Sequence, residues 1–223
     1  LTLAHDADYV ARFHDNALNA TALRRMGLPW SEALVARTTR AVGGSLLTAD
    51  LALQHGLACH LAGGTHHAHR DFASGFCIFN DLAIISLSLL ASGRVERVLI
   101  IDCDVHQGDG TASILQNIDT AVTVSLHCEN NFPARKAQSD WDIPLPRGMG
   151  DAAYLKVFQL FMHDLAEDSQ TSDLVRRSLE QMLSRQRSLH QRDTGMVAAL
   201  KPHSMQNPHR VKRAISLNPQ IID

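Results

Sequence analysis

The stretch "RVLIIDCDVHQGDGTASILQNIDTAVTVSLH", residues 97–127, decides the fold. "RVLIIDCD" (97–104) and "AVTVSLH" (121–127) are short apolar runs rich in branched side chains, which read as strands. "TASILQNI" (111–118) between them reads as a helix. Strand, helix and strand at this spacing form a βαβ unit of a mainly parallel sheet, with a right-handed crossover.

Working upstream, "NDLAIISLSLLASG" (80–93) predicts a helix capped by Asn80 or Asp81 and closed by Gly93. The segment 29–56 predicts a longer helix, with Ser31 as its cap, Glu32 in its positive first turn and Gly56 at its end. Trp30 can staple onto Val35, and Gly43-Gly44 is either a weak point or a close packing contact. "LACHLA" (57–62) then reads as a short strand running into Gly63-Gly64. Downstream, 133–161 predicts a polar loop, a short extended piece and a helix starting near Asp151.

After about residue 162 the texture changes. Leu174, Leu179, Met182, Leu183 and Leu189 make one helical stripe within 172–192, with arginines opposite. The closing stretch from Lys201 has no apolar run long enough for a buried parallel strand. The expected division is a domain over 1–161 and a divergent tail over 162–223.

Composition sets the bounds. The 223 residues are 45% hydrophobic, enough for one α/β domain, and carry a net charge of −2. That charge gives no reason to expect nucleic-acid or anionic-membrane binding. Cys59, Cys77, Cys103 and Cys128 form no CxxC pair and read as buried free thiols. No signal peptide and no span of about 20 apolar residues is legible, so a cytoplasmic or nuclear location is expected. The chain starts at Leu1 as if inside a domain.

Asp102, Asp104 and His106 occupy alternate positions at the end of an apolar run. In a strand they would share one face, at the carboxyl end where open parallel sheets gather ligands. Two carboxylates and an imidazole suit a divalent metal such as zinc. The same pattern also suits a salt-bridged, capped strand end. "GGTHHAHRDFASGFCIFND" (63–81) adds His66 and His67 after two glycines, and then an exposed aromatic beside a glycine. Adjacent histidines are often merely solvated. Beside a metal-carboxylate site they can exchange protons near neutral pH, which points to a hydrolase.

Together "GGTHHAHRDFASGFCIFND", "DCDVHQGDGT", "VSLHCENNFP" and "WDIPLPRGMGDAAYL" resemble the zinc-dependent histone deacetylase family, nearest its bacterial-type and class IV-like branch. The resemblance implies the arginase/deacetylase fold: three layers, with helices on both faces of the sheet. It implies Asp104 and His106 as two of three zinc ligands. His66 and His67 would handle the protons of the attacking water and the leaving amine, oriented by Asp102 and Asp109. Gly75 and Phe76 would wall an acyl-lysine channel. Asp102, Ser125 and the backbone oxygens of Asp104, His106 and Leu126 would hold K+.

The family's third zinc ligand, an aspartate at a later strand end, has no counterpart after residue 161. Asp164, Asp168, Asp173 and Asp193 all lie in polar text. Its oxyanion-donating tyrosine is likewise missing, since the only tyrosines are Tyr9 and Tyr154. The sheet is therefore expected to be incomplete at its C-terminal side, with an edge open to a protein partner. Three functions follow: a deacetylase of acetyl-lysine in histone or other proteins, a truncated family member that binds rather than cleaves, or a hydrolase of small acetylated amines such as acetylpolyamines.

Overall fold

A computed structural model describes residues 1–167, 196–199 and 213–214. Six helices, α1 (Ala7–His14), α2 (Ala20–Met26), α3 (Glu32–His55), α4 (Asp81–Ala91), α5 (Asp109–Leu115) and α6 (Asp151–Glu167), accompany five strands. The strands are β1 (Val98–Asp102), β2 (Ala121–Cys128), β3 (Trp141–Leu145), β4 (Met196–Ala199) and β5 (Arg213–Ala214). They form one sheet in the order β4-β1-β2-β3-β5. The β1–β2, β2–β3 and β3–β5 pairs are parallel, and β4 runs antiparallel to β1.

The period of two in β1 makes the layers. Val98 and Ile100 enter a core shared with α1 to α4, whereas Leu99 and Ile101 face the other way, into a core shared with α6. Every residue of β1 is buried. A sheet covered on both faces needs such a continuous apolar strand, and each aliphatic side chain so buried contributes about 1.5–3 kcal/mol. On β2, Val124 and Leu126 join the α6 side, while Thr123, Ser125 and His127 share the parity of Ala121, which packs in the α1–α4 core.

The long helix ends where expected. The Ser31 hydroxyl accepts the Leu34 N–H at 3.0 Å, and Gly56 closes the helix in the left-handed conformation. Gly44 is a packing contact, because a Cβ there would lie 2.6 Å from the His60 ring. Asn80, not Asp81, caps α4.

Several elements differ from the sequence reading. Residues 57–62 form no strand: Leu57 and Leu61 are exposed, and His60 donates from its ring to the Ala41 carbonyl, tying the segment back to α3. A run this short carries too little pattern to separate a strand from a helix exit. β1 stops at Asp102, so Asp104 and His106 sit on the bend beyond it rather than on a strand face. α5 begins at Asp109 instead of 111. The closing stretch does supply a strand pairing, since β5 lies parallel to β3 at Trp141 and Asp142. β4 pairs along the outer edge of β1, so that edge is covered from within the chain. α6 runs through residue 161, and the 172–192 helix lies outside the described residues. Cys77 alone of the four free cysteines is buried, and Cys59 is exposed. No described helix is long and apolar enough to cross a membrane.

Candidate active site

Two glycines and one buried carboxylate shape the loop that carries the histidine pair. Asp81, at the first turn of α4, accepts hydrogen bonds from the Ser45 hydroxyl (2.7 Å), the Gly64 N–H (3.0 Å), the Thr65 N–H (2.8 Å) and the Thr65 hydroxyl (2.7 Å). A Cβ on Gly63 would come within 2.6 Å of that carboxylate, so only glycine permits the approach. The Asn80 amide donates to the carbonyls of His66 and Ala68 and to the Thr111 hydroxyl. The Thr111 N–H donates to the His66 carbonyl at 3.1 Å, and a Cβ on Gly110 would collide with the Ala68 carbonyl. The N-terminus of α5 is thereby pressed onto the turn that holds the histidines.

Beneath that turn sits His5. Its Nε2 accepts the Asn80 N–H at 2.8 Å, so the proton is on Nδ1, which donates to the His69 carbonyl at 2.8 Å. Burial, which disfavours the cation, lowers its pKa to about 4.

Each histidine of the pair meets its own carboxylate. His66 Nδ1 lies 2.6 Å from Asp102 Oδ2, and His67 Nδ1 lies 2.6 Å from Asp109 Oδ1. All four residues are buried, and the two rings stand 4.0 Å apart between centroids. A carboxylate only accepts, so each Nδ1 carries the hydrogen and each Nε2 is left for chemistry. Burial works against a charged His66, but the Asp102 hydrogen bond and the charges of Asp102, Asp104 and Asp109 outweigh it, and its pKa is raised. Asp109 shows the converse. Burial favours its neutral form, yet hydrogen bonds from His67 and His69 hold its pKa down at about 2. Gly108 makes room, because a Cβ there would strike the Asp102 carboxylate.

Beyond β1 the chain folds on itself. Asp102 Oδ1 accepts the Asp104 N–H at 3.0 Å, and Asp104 Oδ1 accepts the His106 N–H at 2.8 Å. Asp104 Oδ1 also lies 3.0 Å from His106 Nδ1 and 4.0 Å from His66 Nε2. Gln107 fixes this bend to the approach of β3, bonding Asp142 and both backbone groups of Ala137. Ser125 stands opposite Asp102 in the β1–β2 register, with Leu126 next to it, and the Ser125 hydroxyl bonds His127. Burial lowers the His127 pKa.

Phe132 flanks the histidines, and Phe76 follows Gly75, whose backbone lies against His67. Phe76 is 68% exposed and has φ +63°. It is held by its N–H to the Met26 carbonyl and by close packing of its ring on Gly27. Gly75 wedges between the sites: a Cβ on it would lie 2.7 Å from His67 Cδ2 and 3.1 Å from Phe132 Cε1. Phe132 stands edge-on to His67 (4.8 Å) and His106 (6.0 Å). Lys136 braces its turn by donating to the carbonyls of Asn131 and Pro133.

Residues 1–175 match the family model of the histone deacetylase domain. The chain belongs to that family. An uncharacterized protein from Picosynechococcus is 53% identical over 165 residues, covering 74% of this chain and 55% of its own. The acetoin utilization protein AcuC of Staphylococcus xylosus is 34% identical over 181 residues, covering 71% of this chain and 47% of its own. The crystal structure of a histone deacetylase homolog from Aquifex aeolicus superposes with TM-score 0.63 at 26% identity, covering 75% of this chain and 51% of that one. The chain thus spans about half the length of the curated relatives it matches.

Within this histone deacetylase domain, the fold brings His66, His67, Asp102, Asp109, Asp104 and His106 to one place, with Gly75 and Phe76 at its margin. Phe132 is the addition: it lies inside the quoted "VSLHCENNFP" motif, where an aromatic before a proline in a polar loop was the available signal. Tyr154 lies on α6, partly buried against the core there, and the Tyr9 hydroxyl is spent on the Ile78 carbonyl. Zinc is the metal that membership of this family suggests. Two donors on one tetrahedral ion at about 2 Å stand about 3.3 Å apart, so Asp104 Oδ1 and His106 Nδ1 fit as a pair. Among the described residues, no group of three His, Cys, Asp or Glu side chains could hold a metal ion.

Proposed function

We propose that this chain carries the proton-handling part of a zinc-dependent deacetylase site acting on acetyl-lysine in protein substrates. The observation that supports it is the pair of buried histidines, each bound through Nδ1 to its own carboxylate, with ring centroids 4.0 Å apart, beside Asp104 and His106. Asp104 and His106 would supply two metal donors, with a third from outside the described residues. The chemistry such an ion supplies when bound is polarisation of the acetyl carbonyl and acidification of the attacking water. His66 takes the proton of that water at Nε2, because Asp102 stabilises the imidazolium that results. The proton that His66 takes is delivered in turn to the leaving amine through Nε2 of His67, which Asp109 holds in the Nδ1–H tautomer. Phe76 and Phe132 flank the alkyl chain of the substrate. A K+ ion beside the buried Asp102–Ser125 pair is part of the same proposal, with the backbone oxygens of Asp104, His106 and Leu126 as its remaining donors.

A second reading is supported by the lack of a three-donor metal group among the described residues: a family member that binds acetylated partners without cleaving them. Metal content of the purified chain, and turnover of acetyl-lysine peptide and acetylpolyamine with and without chelator, separate the two. Chelator-sensitive turnover that His67→Ala abolishes is the expected result. A folded chain with neither metal nor turnover refutes the hydrolase reading, and cleavage of the polyamine alone replaces the protein substrate with a small amine.

A further inference from the structure

Asp109 is shared. Its Oδ1 receives His67 Nδ1, and its Oδ2 receives His69 Nε2 at 3.0 Å. The carboxylate is buried, so without His69 its second oxygen would have lost water and gained no partner. A carboxylate held at one oxygen can still turn about its own Cβ–Cγ bond. One held at both oxygens by two separate rings cannot.

His69 is itself fixed from several directions. Its N–H donates to the Phe72 carbonyl at 2.9 Å, closing a tight turn, and its own carbonyl accepts a hydrogen bond from His5 Nδ1. Its ring stacks on Phe72 with centroids 4.3 Å apart and planes 17° from parallel. The Arg25 guanidinium lies 3.7 Å from the centre of the Phe72 ring, a cation–π contact that braces the stack. A line of contacts therefore runs from α2 through Arg25, Phe72, His69 and Asp109 to His67, and each member holds the next in one orientation.

We infer that His69 is a positioning residue, which locks the Asp109 carboxylate and through it keeps His67 protonated on Nδ1 with Nε2 free. The inference rests on the proton-transfer role proposed for His67, but its test needs no turnover. The imidazole protons of the full 223-residue chain are recorded by ¹⁵N-edited NMR, and the His67 Nδ1–H resonance is identified by its absence in His67→Ala. His69→Phe keeps the ring that stacks on Phe72 and removes the donor. His69→Gln replaces the ring with an amide of similar reach that restores the donor.

The expected result is loss of the His67 Nδ1–H resonance in His69→Phe and its retention in His69→Gln. If His69→Phe does not fold, the reading is taken from His69→Ala, which preserves the backbone bonds of residue 69. An unchanged His67 signal in a folded donorless variant overturns the inference. So does loss of the fold in both donorless variants, which would assign His69 to stability alone. A normal NMR outcome with no turnover would instead sink the proton-transfer reading and leave the lock standing.

Discussion

Replacing Asp81 by alanine removes the acceptor of four donors at once: the hydroxyls of Ser45 and Thr65 and the N–H groups of Gly64 and Thr65. Hydrogen bonds to a charged group contribute about 1.5–3 kcal/mol each, and a buried donor left unpaired costs about 1–3 kcal/mol. The sum is not additive, because Gly64 is exposed and can recruit water once the loop loosens. The charge also favours the positive first turn of α4, by about 0.3–1 kcal/mol. A net loss of about 3–5 kcal/mol is expected once the several hydrogen bonds to this one buried charge are discounted for that recovery of water. Asp81→Asn should lose roughly half as much, since an amide oxygen still accepts while its NH₂ faces the donors. Urea denaturation followed by far-ultraviolet circular dichroism is the assay, with the m-value checked for constancy. A second arm uses Thr65→Val, whose coupling to Asp81→Asn should reach about 0.5–3 kcal/mol. An Asp81→Ala loss below about 1 kcal/mol would refute the view that this carboxylate holds the histidine-bearing loop.

Two other outcomes are expected. Gly108→Ala drives a Cβ into the Asp102 carboxylate and strips His66 of its partner; turnover should fall about 10–100-fold with an unchanged circular dichroism spectrum, checked as kcat/KM on acetyl-lysine peptide. His5 has its folded pKa depressed from 6.5 to about 4, so the unfolded chain binds the extra proton between those values. Stability is whole above pH 6.5 and falls as the pH drops toward 4, by about 3 kcal/mol. Urea midpoints across that range measure it, and His5→Gln should lose this part of the acid slope.

Much of this was legible in the chain itself, where pattern and chemistry coincide. The βαβ core could be read because β1 is apolar from Val98 to Ile101 and the helix-forming run of α5 follows a glycine-flanked turn at Gly108. Asp102, Asp104 and His106 could be read because their residue types admit few other uses together. Their spacing misled: the alternation suggested a strand face, but the strand ends at Asp102 and the next residues bond back to one another's backbone. "LACHLA" failed for want of length, and the packing of His60 on Gly44 decided it instead. β4 was invisible because "MVAA" is short and takes its strand character from lying against β1. Asp81 and His69 look like an ordinary helix start and a spare histidine until the carboxylates they serve are placed in space.

The antiparallel pairing of β4 on β1 also sets an order of events at the ribosome. β1, β2 and β3 all emerge before Met196 has been translated. For that interval the nascent sheet presents the free backbone amides and carbonyls of Val98 to Ile101 along one side, an invitation to pair with a neighbouring polypeptide. Pausing translation just before Met196 would prolong that exposure without altering a single residue of the finished site.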